Sequence, residues 1–398
     1  MLGPTSTTSA NPYASALDHL RDELHLVFLR VQRYIARYGH RMVQADGRLS
    51  NLYVSFEEAR AQLGGLESTA PVATREGWPD VAASESAIMA QREHIDARLA
   101  ATAASGEPVS LPLEELRQSF RLTDADVDTL LAATAPTLSV DLARLYTFAW
   151  ADFAVKLPSV GFLAELLEGP GAASAAAPIA EPHSVLFRRR LLLTRDSGAF
   201  GTPTPHFHRG VLPADSISSW LVGRPGPLPP ALSSAGRLWL PSESPQVSAI
   251  LGVEPHLDRL RAALSRLGRP GGPAAIVLEG PAQSGRRSLV QGLAAERGLA
   301  TLEVRASDLR GQSLSDALAE GAREATLRRA TLLLRLDGLV DDSAWLAENA
   351  SAIRTAAGRS GDGVVLLTLR PSAALLRQLE EPVLVVFAKV EPAVQRAV

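Results

Sequence analysis

The 398-residue chain contains 46% hydrophobic and 21% charged residues, which supports a packed core and excludes an intrinsically disordered protein. Its net charge of -3 argues against a protein that coats nucleic acid, and the lack of cysteine excludes disulfide bonds and thiolate metal sites. Residues 1–15 lack the pattern of an export signal, and no apolar run approaches about 18 residues. We therefore expect a cytoplasmic protein with no membrane segment.

The amino-terminal half has the patterning of a mostly helical region. Residues 1–10 are small and polar, as in a flexible tail, and residues 11–222 form the region itself. Apolar residues at three- and four-residue steps predict a helix from Leu17 to Tyr38. Ser55 and Glu58 have the spacing of a capping box and predict a second helix, and a third is expected over 85–104.

The next segment has the outline of a helix-turn-helix. LPLEELRQSFRLTDADVDTLLAATAP (111–136) predicts two helices joined by a short turn, with Thr123 capping the second. Two more helical stretches are expected at 142–150 and 162–167. SVLFRRRLLLTRD (184–196) is rich in residues that favour extended structure and predicts the wing of a winged helix.

The carboxyl-terminal half has a different pattern of apolar residues. After a short predicted helix at 216–222, proline and glycine predict a linker over 223–244, and residues 245–398 form the second domain. Continuously apolar strands separated by helices indicate a parallel sheet covered on both faces. The predicted strands are 274–279, 330–337, 363–369 and 382–387, and the predicted helices are 257–267 and 286–297. The fold class is multidomain α/β.

A candidate phosphate-binding loop, GPAQSGRRS, joins the first of these strands to the following helix. Gly280 and Gly285 have the spacing of G-x-x-x-x-G-K-[ST], in which the lysine reaches the phosphates and the hydroxyl holds Mg²⁺. Backbone amides at the start of a helix favour a phosphate group. The candidate cofactor-binding residues are therefore Gly280, Pro281, Ala282, Gln283, Ser284, Gly285, Arg286, Arg287 and Ser288.

Two later strand ends complete an ordered set of motifs. LLLRLD ends in Asp337, and TLRP begins with Thr368. With GPAQSGRR before them, these segments resemble the GPPGTGKT, hhhhDE and TNRP-like segments of the AAA family of ATPases. The resemblance implies a nucleotide-binding module, with Asp337 as the remnant of a metal-coordinating aspartate and Thr368 in the place of a sensor residue.

The region before the linker also resembles part of that family. LPLEELRQSFRLTDADVDTLLAATAPTLSVDLARLY, RRRLLLTRD and VLPADSISSWLVG are similar to the winged-helix region of a bacterial subgroup. In that subgroup a degenerate first module is followed by a competent second one. The family's helical lid follows the strand that corresponds to PVLVVF, and since the sequence ends at Val398, we expect a module without its lid.

Several departures from the AAA pattern predict a degenerate site. Arg286 replaces the lysine and is expected to face phosphate, although its planar head is bulkier than an ammonium group. Arg287 replaces the hydroxyl ligand of Mg²⁺, and Gly338 replaces the glutamate that polarises water. Loss of such contacts lowers rates by factors of roughly 10² to 10⁵. We therefore expect weak binding of ATP or ADP with Mg²⁺ disfavoured, little or no hydrolysis, and a protein-docking or regulatory role with protein partners or as a homo-oligomer.

The sequence leaves three alternatives open. The chain is an active ATPase completed by another subunit or module, a scaffold that binds no nucleotide, or an ordinary α/β domain whose loop is only a strand-to-helix turn. The same motifs are compatible with each of them.

Two other kinds of site are disfavoured. The second helix of the helix-turn-helix carries Asp124, Asp126 and Asp128 and no basic residue, which argues against nucleic-acid binding. His206 and His208 form an H-x-H pair, but neither cysteine nor a nearby carboxylate completes a metal site, so we predict none.

Overall fold

The chain divides into two compact units, Met1–Gly226 and Pro227–Val398. The computed structural model describes residues 11–38, 80–150, 157–168, 178–196, 204–250, 252–269, 271–309, 313–336, 349–356, 363–371, 373–379 and 382–387.

Helices dominate the described part of the amino-terminal unit. They are α1 (Ala16–Tyr38), α2 (Val81–Ser105), α3 (Pro112–Phe120), α4 (Asp124–Leu138), α5 (Val140–Trp150), α6 (Val160–Leu167), α7 (Val185–Arg188) and α8 (Asp215–Leu221). Two strands, β1 (Leu192–Arg195) and β2 (Gly210–Pro213), pair antiparallel. The helices predicted from apolar periodicity and capping are present, whereas the one predicted from Ser55 and Glu58 lies outside the described residues.

Helix α4 is the centre of this unit. Its capping box is formed, since the Asp126 amide donates to the Thr123 hydroxyl at 3.2 Å and the Thr123 amide donates to the Asp126 carboxylate at 2.9 Å. Residues 129–135 are all buried, and the helix packs against α1, α5, α6, α7, α8 and β2. The second helix of the predicted helix-turn-helix is therefore a core helix.

The segment 184–196, predicted to be extended throughout, divides into a helical turn and a strand. The amide of Arg188 donates to the Ser184 carbonyl at 2.9 Å, which closes the turn of α7. Arg190 has a φ of 54° and redirects the chain into β1. Ser159 forms a bridge to Gly210 on the far side of β2. Strands β1 and β2 thus form the wing, and only the second half of the predicted extended segment belongs to it.

In its described residues, the carboxyl-terminal unit is built on a six-stranded sheet in the order β3-β5-β6-β7-β4-β8. The strands are β3 (Gly236–Trp239), β4 (Ala275–Glu279), β5 (Ala300–Arg305), β6 (Ala330–Arg335), β7 (Val364–Thr368) and β8 (Val383–Val386). The helices are α9 (Glu254–Arg266), α10 (Arg286–Glu296), α11 (Leu314–Leu327) and α12 (Ala373–Gln378), and residues 349–356 are also helical. All the strands pair in parallel except β3, which runs antiparallel to β5.

Both faces of the sheet are covered, as the apolar strands predicted. Ala275 and Val277 of β4 belong to one hydrophobic cluster, and Ile276 and Leu278 belong to another. Alternate residues of a strand point to opposite faces, so the two clusters lie on the two sides of the sheet.

The structure adds elements that the sequence analysis did not contain. Strand β3 lies within residues 223–244, which were predicted to be a linker, and β5 and α11 were not predicted. Strand β3 is short and only half-buried at the edge of the sheet, so its sequence lacks the continuous apolar run of the inner strands.

The strand order places the candidate loop at a switch point. From β4 the chain crosses to β5 on one side, and from β7 it passes over β4 to β8 on the other. Ligands of open α/β sheets bind at the carboxyl ends of the strands where the order reverses. The loop after β4 occupies this position.

Asp128 joins three helices of the amino-terminal unit. Its carboxylate accepts a hydrogen bond from Arg30 of α1 at 2.5 Å and another from Arg92 of α2. The side chains of Arg30 and Asp128 are 10% and 19% exposed. A charge pair that is largely buried is costly to break, because the remaining charge loses its partner.

We expect Asp128→Asn to lower the free energy of unfolding by about 3 kcal/mol, because Arg30 loses its anion and Arg92 keeps only the longer pair with Glu23 at 3.6 Å. Asp124→Asn on the same helix is the matched control. Its carboxylate is 78% exposed and pairs with Arg117, so the expected change is below about 1 kcal/mol. Urea unfolding of the two variants measures both values, and equal losses would contradict the bridging role of Asp128.

Candidate functional site

The loop between β4 and α10 has the backbone that its glycines predict. Gly280 has a φ of 151°, and a Cβ there would lie 2.8 Å from the carbonyl oxygen of Phe387, just after β8. Gly285 caps α10 in the left-handed conformation with a φ of 77°. Side chains are strained in this region, so glycine is favoured at both positions. The predicted strand, loop and helix are therefore present.

Arg286 is the most constrained residue of the loop. The residue is 4% exposed, and its side chain donates four hydrogen bonds to described residues. Nη1 donates to the carbonyl oxygens of Leu278 at 2.9 Å and Thr368 at 2.5 Å. Nη2 donates to the carbonyl of Pro281 and Nε to the hydroxyl of Ser284, both at 2.9 Å. One guanidinium group thus holds the ends of β4 and β7 and the loop between β4 and α10.

This arrangement differs from the expected one, in which Arg286 faces a phosphate group. A guanidinium group carries five donors in one plane, and three main-chain carbonyls converge where the two strands end. The side chain borders the cavity described next, but its hydrogen bonds run to the protein. The expected contact of Arg286 with phosphate is not tested by these hydrogen bonds and stays a prediction.

A cavity of about 320 Å³ lies beside the loop and is lined by residues 282–288, Arg335 and Leu367. The amide groups of residues 282–285 donate no hydrogen bond to an acceptor in the described part of the chain. Arg287 is exposed at the start of α10, and no carboxylate lines the cavity among the described residues. Free amides, a helix amino terminus and arginine side chains together favour an anion.

Arg335 is a site residue that the sequence analysis missed. Its Nη1 pairs with Oε1 of Glu303 at 2.9 Å, and the Glu303 side chain is almost fully buried. The other carboxylate oxygen of Glu303 accepts a hydrogen bond from Nε1 of Trp239 at 2.8 Å. This pair holds Arg335 at the end of β6 beside the cavity. The residue stands within LLLRLD, and its place at a strand end was the available signal.

Trp239 also connects the loop with the edge of the sheet. The guanidinium carbon of Arg237 lies 3.6 Å from the centre of its ring system, and that of Arg287 lies 5.7 Å from it. Arginine over an indole face is a favourable cation–π arrangement. Arg287 is thereby held near the mouth of the cavity by a strand that the sequence analysis had placed in the linker.

The other predicted site residues have different outcomes. Asp337 lies outside the described residues, so its role stays a prediction. Thr368 ends β7 opposite Glu279, and its carbonyl oxygen accepts hydrogen bonds from the Gly280 amide at 3.2 Å and from Arg286. Its assignment as a sensor also stays a prediction.

The H-x-H pair lies in a 3-10 turn of the amino-terminal unit. His206 Nε2 lies 3.3 Å from the carbonyl oxygen of Ile179. Over the described ranges, no three histidine, aspartate or glutamate side chains are grouped as metal ligands would be.

The family comparison concerns the amino-terminal unit. A family model described as a winged helix domain, variant, matches residues 1–228, more than half of the 398 residues. The chain belongs to this winged-helix family. Among curated proteins, none matches it. No helix among the described residues has the length and apolar character needed to cross a membrane.

We expect Arg286→Met to lower the free energy of unfolding by about 3 kcal/mol or more, because four acceptors in the loop and strand ends lose a charged donor. Arg287→Met is the matched control one residue away. Since that side chain is exposed, the expected change is within about 0.5 kcal/mol. Urea unfolding of the full chain measures both, and similar values would contradict the bracing role.

Proposed function

We propose that the carboxyl-terminal unit is a degenerate AAA-type module that binds the phosphate groups of ATP or ADP without turning them over. We further propose that the winged-helix part docks protein partners. The observation that carries the first proposal is that two neighbouring arginines have different environments. Arg286 is buried among backbone acceptors, while Arg287 remains exposed at the cavity.

The positive charge of the cavity supports phosphate binding. Arg335 is fixed by Glu303, and Arg287 lies at the first turn of α10. A guanidinium group can donate two parallel hydrogen bonds to the oxygens of one phosphate group. Hydrogen bonds between charged groups are stronger than those between neutral groups. The amides of residues 282–285, which have no acceptor among the described residues, add donors whose positions do not depend on a flexible side chain.

The same residues argue against hydrolysis. The position of the Mg²⁺-binding hydroxyl is taken by Arg287, whose charge repels a divalent cation. The charge of Arg286 is used by the carbonyls of Leu278, Pro281 and Thr368. Mg²⁺ that binds the phosphates also reduces the charge that attracts them to arginine. We infer that Mg²⁺ weakens binding or leaves it unchanged.

The burial of α4 supports a docking role over nucleic-acid binding. Of its three aspartates, Asp126 closes the capping box and Asp128 bridges two arginines, so only Asp124 is exposed. A recognition helix needs a free face to enter a major groove. Helix α4 packs on the elements named above and has no such face over residues 129–135.

A titration with a fluorescent ATP analogue, in EDTA and then in Mg²⁺, tests the nucleotide part. We expect saturable binding in EDTA, no gain in affinity with Mg²⁺, and phosphate release at the buffer rate. Arg287→Met and Arg335→Met are each expected to weaken binding about tenfold, which is the effect of one charge-assisted hydrogen bond. Arg261→Met is the control, since this exposed arginine pairs with Glu296 and is absent from the cavity lining.

Two outcomes would contradict this proposal. Mg²⁺-dependent binding with phosphate release above the buffer rate would indicate an active ATPase. No binding at millimolar nucleotide would indicate a scaffold.

A further inference from the structure

Strand β1 of the wing has one edge without a strand partner in the part of the chain that the structure describes, called the free edge below. On its other side it pairs with β2, which in turn bridges to Ser159. Among the described residues, no strand pairs with the outer edge of β1. Such an edge presents main-chain donors and acceptors that another extended segment can use.

The pairing register identifies which groups face outward. The amide of Ala214 donates to the carbonyl oxygen of Leu191 at 3.1 Å, next to the pair Leu192–Pro213. Hydrogen-bonded and non-hydrogen-bonded pairs alternate in an antiparallel ladder. The main-chain groups of Leu192 and Thr194 therefore point away from β2. Leu192 is only 1% exposed, so the outward groups that a partner strand can reach are those of Thr194, which is exposed.

A cavity of about 330 Å³ lies along this strand and is both basic and aromatic. All four residues of β1 line it, together with Arg190 and Arg209. Phe187 and His206 also line it, and their ring centroids are 5.9 Å apart. No acidic residue is among the described residues that line the cavity.

Arg195 carries the charge that is most available to a ligand. Its side chain is exposed and forms no ion pair with a carboxylate of the described residues. Arg209, in contrast, is engaged by Asp196 at 3.1 Å and by the carbonyl of Thr204 at 3.0 Å. A ligand beside β1 therefore meets one exposed cation together with an aromatic surface.

We propose that an extended acidic segment of a partner protein docks as an additional strand along the free edge of β1. Its main chain pairs with Thr194, a carboxylate pairs with Arg195, and its apolar side chains enter the cavity over Phe187. Charge complementarity and the free edge favour this partner over a nucleic acid, whose backbone offers no complementary strand. The inference rests on the docking role proposed above and names the class of partner.

The probe is the fluorescein-labelled peptide Val-Glu-Val-Glu-Val-Glu-Val, titrated against the full chain and followed by fluorescence anisotropy. We expect saturable binding that weakens with salt. The same peptide with glutamine in place of glutamate, or with proline at its centre, is expected to bind at least about tenfold more weakly, since it lacks the charge or the strand-pairing amide.

Two variants place the binding on the wing. Arg195→Glu is expected to weaken binding at least about tenfold by reversing the charge. Thr194→Pro removes an outward amide while leaving the groups that pair with β2, so it is expected to weaken binding with the fold retained. Thr194→Val, which keeps the amide, is the matched control, and circular dichroism verifies the fold of all three.

The inference is overturned if the glutamine or proline peptide binds as tightly as the original peptide. It is also overturned if Arg195→Glu or Thr194→Pro keeps wild-type affinity, or if the original peptide does not bind at all. Tighter binding of a mixed-sequence 20-base-pair duplex that competes with the peptide would assign the wing to nucleic acid instead. These outcomes are independent of the nucleotide titration. A chain that binds ATP but not the peptide contradicts this inference alone, and a chain that binds neither contradicts both proposals.

Discussion

The carboxyl-terminal unit depends on the buried guanidinium group of Arg286. A charge removed from water is tolerated only where hydrogen bonds replace its hydration, and here two strand ends and the loop provide them. Leu278 and Thr368 lie on neighbouring strands, so the same group joins β4 to β7 at the edge where the loop begins. Arg286 therefore holds the loop that borders the cavity, and Arg287 and Arg335 provide the charge that we propose contacts phosphate.

The different positions of Arg286 and of the two cavity arginines affect what the site can do chemically. A loop held by its own side chain does not need to be ordered by a ligand, which lowers the cost of binding a phosphate group. Phosphoryl transfer requires further groups, because a lysine and a metal ion must stabilise the charge that develops on the transferred phosphoryl group. In the AAA-type module that we propose, Arg286 is bonded to carbonyl oxygens and Arg287 stands where the metal-binding hydroxyl would be, which favours a site that holds an anion without activating it. The winged-helix unit is then the part of the chain that we propose to contact partners.

The sequence predicted what local interactions determine. Apolar periodicity gave α1, the capping box of Thr123 gave α4, and glycine spacing gave the loop between β4 and α10. Other features depend on residues distant in the chain. Arg286 turns toward Thr368, 82 positions away, and Trp239 contacts Glu303 on the neighbouring strand, 64 positions away, so neither contact leaves a local signal. The edge strand β3 is too short and too exposed to be recognised before its partner β5 is known.

A crystal structure of the chain with ADP in EDTA tests the central claim most directly. The account predicts a phosphate group on the amides of residues 282–285, contacts from Arg287 and Arg335, and Arg286 still bonded to the carbonyls of Leu278, Pro281 and Thr368. A structure in which Arg286 has left these carbonyls and binds the phosphate would contradict it.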